Sequence, residues 1–183
     1  QDVETALSGA QPWRATAPDR QRILSRAADL YEAAHGEILA LLAREAGKTL
    51  PDAVAELREA VDFLRYYGAN IPAGEPAGTF TCISPWNFPL AIFTGQIAAA
   101  LATGNAVLAK PAEQTPLIAH LAVTLLHRAG VPRGALQLLP GGGEVGAALV
   151  SDPRVDGVAF TGSTETARHI RKSVGGELRR GGA

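Results

Sequence analysis

With 183 residues, 46% of them hydrophobic and 19% charged, the chain can bury a core and is excluded from the disordered class. A formal net charge of −1, with Arg and Asp/Glu scattered along the chain, gives no basic footprint for nucleic acid. No apolar run reaches the roughly 20 residues that a membrane span needs, the opening Gln-Asp-Val-Glu is no signal peptide, and Cys82, as the single cysteine, permits no internal disulfide.

These features read as a soluble, cytoplasmic chain, and the lack of an initiator Met as a trimmed or partial one. Over residues 19–45 apolar side chains fall at Ile23, Ala27, Leu30, Ala34, Ile38, Leu41 and Leu42, which predicts an amphipathic helix weakened in its middle by Gly36. Thr49 and Asp52 in capping spacing, with Pro51 in the first turn, announce a second helix. Its stripe is Val54, Leu57, Val61 and Leu64, and it ends near Gly68. Gly and Pro then cluster over 68–78, so 1–70 is expected to be a helical segment and 71–78 a linker. Beyond it, strands are predicted at 79–84, 106–110, 135–139 and 157–161. Helices are predicted at 90–101, 116–129, 144–150 and from 164 to about 174. Such alternation predicts an α/β fold in which 79–174 form a Rossmann-like parallel sheet with right-handed crossovers and helices on both faces. Residues 175–183, rich in Gly and Arg and without periodicity, predict a disordered tail.

At 81–90 a β-type segment stops at two prolines that bracket Trp86 and Asn87. Pro85 and Pro89 fix φ and remove donors, and Ser84 and Phe88, as the residues before them, are biased to extended geometry. Asn87 on so stiff a corner suits a binding or polarising role, and an ordinary strand-to-helix turn accounts for the same residues. The segment 140–146 has Gly-x-Gly-x-x-Gly spacing between a strand and a helix, as a dinucleotide fingerprint does. It does not follow the first strand, no acidic residue ends the next one, and a Gly-rich packing turn fits equally. Phe160-Thr161-Gly162-Ser163-Thr164-Glu165 sets small residues and hydroxyls at a helix start, which makes a phosphate site or a plain N-cap. Lys110-Pro111-Ala112-Glu113 sets a cation and a carboxylate beyond another strand, suited to a ribose or a phosphate, or a solvated pair of small effect. All these loops follow strands expected to be parallel, so they converge on the edge where open α/β sheets bind ligands. Ala46-Gly47-Lys48-Thr49 ends like a P-loop, but Leu42 stands where the earlier glycine belongs and no strand precedes it, so it reads as a helix break. His35, His120, His127 and His169 lie on different predicted helices apart from His120 and His127, which share a face, and no metal site is predicted.

In this order and on these elements, Pro85-Trp86-Asn87-Phe88-Pro89, Lys110-Pro111-Ala112-Glu113 and Phe160-Thr161-Gly162-Ser163-Thr164-Glu165 resemble the NAD(P)-dependent aldehyde dehydrogenases. The phrasing of Gly47-Lys48-Thr49-Leu50-Pro51-Asp52-Ala53, of Phe63-Leu64-Arg65-Tyr66-Tyr67, of 82–96 and of Ala167 is similar to one subgroup. That subgroup is the pyrroline-5-carboxylate (glutamate semialdehyde) dehydrogenase module of bacterial bifunctional proline-utilization proteins, matched in its N-terminal part only. The resemblance runs from about residue 18 to 174 and implies an incomplete aldehyde dehydrogenase fold. It implies part of an enzyme that oxidises L-glutamate 5-semialdehyde to glutamate in proline catabolism. The implied cofactor is NAD, with NADP possible, and FAD only where a proline dehydrogenase domain precedes this part.

On the same resemblance, Asn87 donates to the oxyanion formed when a thiolate attacks the aldehyde, and Lys110 and Glu113 hold the adenosine ribose. Ser163, with Phe160, Thr161 and Gly162 of its turn, meets the pyrophosphate, while Ile83, Ser84, Pro85 and Trp86 line the cofactor cleft. Gly142 and Gly146 let the adenine side approach closely. The implied partners are a small aldehyde, the remainder of the enzyme and further copies in a homo-oligomer. The family's catalytic cysteine and water-activating Glu follow the Phe-Thr-Gly-Ser turn, and this chain ends before either, so by itself it is expected to be inactive. Cys82, on a predicted buried strand with no adjacent base, is expected to be an inert core thiol. The competing expectation is a truncated, non-catalytic nucleotide-binding or interaction module that has kept the fold.

Overall fold

The computed structural model describes residues 2–178. Four helices come first: α1 (Val3–Gly9), α2 (Ala17–Ala33), α3 (His35–Ala46) and α4 (Leu50–Ala69). The single helix expected over 19–45 is thus two, because Ala34, at φ −88° and ψ 13°, leaves helical geometry just ahead of Gly36, a poor helix former. The break turns α3 so that it packs on α4 and α6 (Pro116–Ala129). The buried face also lies a little round from the expected stripe: Leu24, Ala27, Ala28 and Tyr31 are buried in α2, and Ile23 and Leu30 only flank the core. In α4 the stripe starts at Ala53, and Val54 is 39% exposed. The reading at 46–49 as a helix break agrees with the structure. Gly47 ends α3 in the left-handed region at φ 63°, and Thr49 Oγ1 caps α4 by accepting from Asp52 N at 3.3 Å.

The sheet follows, with β1 (Thr79–Ile83), α5 (Ala91–Ala102), β2 (Ala106–Lys110), α6, β3 (Leu136–Leu138), α7 (Gly143–Val150), β4 (Gly157–Phe160) and α8 (Thr164–Leu178). All three strand pairings are parallel and the order is β3-β2-β1-β4. Expected and observed ends differ by a residue or two, except that α8 runs on to Leu178 through part of the expected tail. Glycine there lowers helix propensity by about 1 kcal/mol per residue but keeps the backbone N–H that proline would remove. The rest of that tail, 179–183, lies outside the described residues.

Alternation along the strands separates two cores. Cys82, Val107 and Ala109 pack with α2, α4, α5 and α6 on one face, and Leu108 packs with Leu139, Leu149 of α7 and Leu7 of α1 on the other. Helices therefore cover both faces, as parallel strands require. The chain steps from β1 to β2 to β3 in one direction, then returns through α7 to β4 on the far side of β1. The switch point lies between β1 and β4, and their carboxyl ends diverge there into two loops. Register aligns those ends: Ile83 is opposite Lys110 on one side and Phe160 on the other.

Candidate functional site

Beyond Ile83 the ladder continues for one bond on each side, from Ser84 N to Lys110 O at 3.3 Å and from Thr161 N to Ile83 O at 3.1 Å. Pro85 then removes the next donor, and the chain leaves the sheet into the corner that carries Trp86 and Asn87. Gln96 of α5 closes the switch point from below, its amide donating to Ile83 O at 3.2 Å and to Thr161 Oγ1 at 3.1 Å. The divergence leaves a cleft of about 730 Å³ over the strand ends. Ile83, Ser84, Pro85, Trp86, Asn87, Lys110, Glu113, Phe160, Thr161, Gly162 and Ser163 all line it, as do Phe88 and Gly143. Eleven residues singled out from three separate stretches of sequence thus share one wall. Of the other two, Gly146 lines a smaller adjoining cavity of about 160 Å³ between α7 and α8, together with Ile83 and Lys110. Gly142 lies beside the site: a Cβ added there would come 2.5 Å from Glu144 Oε2 and 3.1 Å from Glu113 Oε2.

The polar groups of the cleft are incompletely satisfied. Lys110 is 7% exposed and donates only to Pro111 O, at 3.1 Å, so two of its three protons have no acceptor among the described residues. Burial holds its pKa below the ordinary lysine value, and the charges of Glu113 and Glu144 oppose that shift. Ser84 Oγ is buried without a hydrogen-bond partner among the described residues. Ser163 Oγ accepts from Thr166 N at 3.1 Å and so caps α8. The N-cap reading therefore stands, and Gly162, Ser163 and Thr166 bring the start of α8 to the cleft wall. Trp86 is 55% exposed, and the Asn87 amide makes no hydrogen bond among the described residues. A concave wall with an orphan hydroxyl, a buried cation with spare donors and a helix start fits a dinucleotide.

Cys82 is on the opposite side of the sheet from α7, fully buried in the core under α5 and α6, and burial alone pushes its thiol up to about 12. Among the described residues no group of three or more His, Cys, Asp or Glu is placed to hold a metal ion, and no helix is long and apolar enough to cross a membrane. Sequence reasoning missed two charged residues beside the corner. Lys48 and Glu56 form an ion pair of 2.8 Å, with Lys48 Nζ 4.0 Å from the centroid of the Phe88 ring. A signal was available, since Glu56 is three residues after Ala53 and four before Ala60 and so lies on the buried stripe of α4.

Residues 1–181 match the profile described as the aldehyde dehydrogenase family. The chain belongs to that family. Bifunctional protein PutA of Klebsiella aerogenes is 56% identical over 186 residues, covering 97% of this chain and 14% of that protein. The 1-pyrroline-5-carboxylate dehydrogenase of Anoxybacillus flavithermus is 42% identical over 188 residues, covering 92% of this chain and 36% of that one. An NAD+ complex of aldehyde dehydrogenase from Bacillus cereus aligns with a TM-score of 0.89 and 34% identity, over 97% of this chain and 41% of that one. This aldehyde dehydrogenase chain therefore spans a small part of the PutA protein that it matches. The fold expected from strand-helix alternation is the one it shares with these aldehyde dehydrogenases.

Proposed function

We propose that this chain supplies the oxyanion donor and the adenosine half of the cofactor site in an NAD-dependent aldehyde dehydrogenase that oxidises L-glutamate 5-semialdehyde. The observation that carries this reading is the convergence of the corner, the Lys110 loop and the Ser163 turn on one cleft at the switch point. Lys110 and Glu113 hold the ribose hydroxyls, and the α8 amides with Gly162 and Ser163 hold the pyrophosphate. Ile83, Ser84, Pro85 and Trp86 form the floor, and Gly142 and Gly146 leave room on the adenine side. Glu113 disfavours a 2′-phosphate while Lys110 tolerates one, so NADP binds more weakly than NAD. The nicotinamide, when bound, supplies the hydride acceptor.

Asn87 serves the other half of the reaction. Addition of a thiolate to an aldehyde moves negative charge onto the carbonyl oxygen, and an amide N–H already fixed on a rigid corner stabilises that charge without reorganisation. Cys82 is not the thiol, because its sulfur is buried and protonated; nucleophile and general base come from outside these residues. The choice of substrate is supported by identity to PutA and to 1-pyrroline-5-carboxylate dehydrogenase. A cytoplasmic homo-oligomer, and FAD where a proline dehydrogenase domain accompanies this one, belong to the same proposal and are consistent with the likeness to PutA.

In the full-length protein carrying this segment, Asn87→Ala is expected to lower kcat by about 10²–10³-fold with the KM for NAD preserved. Lys110→Ala is expected to raise that KM. NADH formation from glutamate semialdehyde measures both, and an Asn87→Ala enzyme with unchanged kcat would overturn the oxyanion assignment. The 183-residue chain alone is expected to form no NADH.

A further inference from the structure

The corner that carries Asn87 is held from outside. Helix α5 starts immediately after it with Leu90 at the cap position, and no side chain of the corner accepts from the first amides of that helix. Glu56 does so from α4: its Oε1 accepts from Leu90 N at 2.9 Å and from Ala91 N at 3.2 Å. Glu56 is 1% exposed, and its Oε2 lies 2.8 Å from the Lys48 ammonium, an ion pair whose angle falls outside hydrogen-bond geometry. That ammonium also lies over the Phe88 ring, 4.0 Å from its centroid. Lys48 reaches this position because Gly47, at φ 63°, turns the chain between α3 and α4.

Asn87 is therefore bracketed. The sheet ladder holds Ser84 before it, and the Lys48–Glu56 pair holds Phe88, Leu90 and Ala91 after it. A neutral cap would have satisfied the same two amides. A buried carboxylate is costly without a partner, and its partner here is the cation that also holds the Phe88 ring. The arrangement couples the helix start to the side chain next to Asn87.

We propose that Lys48 and Glu56 are positioning residues for Asn87, an inference that rests on the reading of Asn87 as the oxyanion donor. Neither touches the cleft where the aldehyde reacts; both act by fixing the corner before substrate arrives, so that the Asn87 amide needs no reorientation.

The test uses the full-length enzyme carrying this segment, with folding of each variant checked by its thermal midpoint. Lys48→Met is expected to lower kcat by about tenfold to a hundredfold, with the KM for NAD unchanged. Glu56→Gln keeps an acceptor for the α5 amides but loses the ion pair, and is expected to show the same pattern. Lys48→Arg, which restores the cation, is expected to recover most of kcat. Adding Lys48→Met to Asn87→Ala is expected to cost nothing more, since a positioning effect needs the group it positions. Wild-type kcat in both Lys48→Met and Glu56→Gln, or a full additional loss in the Asn87→Ala background, would overturn the inference. If Asn87→Ala itself keeps full kcat, the oxyanion reading fails first, and this inference with it.

Discussion

Cys82 stands within a few residues of Asn87, yet the two have opposite surroundings. Period-two alternation turns the Cys82 sulfur into the α5 and α6 core, and burial pushes the thiol up to about 12. A thiol both buried and held in its protonated form reacts slowly, so iodoacetamide is expected to label Cys82 only after unfolding. Rapid alkylation of native protein, followed by mass spectrometry, would contradict this placement. Asn87 was legible from sequence because the two prolines around it act on the backbone within a residue or two. Lys48 was not, because Gly47-Lys48-Thr49 is fully accounted for locally as a helix stop and start. Its ion pair depends on where α4 lies against the corner.

Among elements, α1 had no periodic signal, being only 7 residues long, and contacts with the rest of the fold define it. Its Leu7 and Ala6 pack with Leu149 and Leu139, and Arg154 ties it to the loop before β4. The Arg154 guanidinium bonds Glu4 at 2.9 and 2.8 Å and Asp152 at 2.8 and 2.7 Å. These bonds hold the carboxyl groups of Glu4 and Asp152 down at about 2. Depressed carboxyl pKa values mean that the attachment is complete above the ordinary carboxylate range and is lost as pH falls towards 2. The cluster is exposed, so it governs the docking of α1 more than global stability. Hydrogen exchange of α1, corrected for intrinsic rates, is expected to rise only below about pH 4 in the wild type. In Arg154→Ala it should be raised already at pH 7, and equal protection in the two proteins would refute the attachment. The division of 19–45 into α2 and α3 was half legible: Gly36 marked a weak point, but packing on α4 and α6 decided the break.

For the molecule as a whole, β4 is the exposed end of the sheet. Among the described residues it pairs only with β1, all of its residues are partly exposed, and none is charged. Beside it lies an apolar cavity of about 500 Å³ lined by Phe63, Phe80, Ile92 and Ala159. An uncharged edge next to apolar surface invites pairing with another chain. Sedimentation velocity on the isolated 183-residue chain is expected to show association; a stable monomer would favour the truncated interaction module instead. By itself the sequence determined the alternating strands and helices, their parallel direction and the residues clustered at their carboxyl ends. Backbone sterics, hydrophobic period and turn chemistry all act over a few residues. Only the tertiary structure decided that β4 lies beside β1, which creates the cleft, and that Glu56 caps a helix 34 residues further along the chain. Those outcomes follow from how whole helices and strands pack, and no local pattern encodes that.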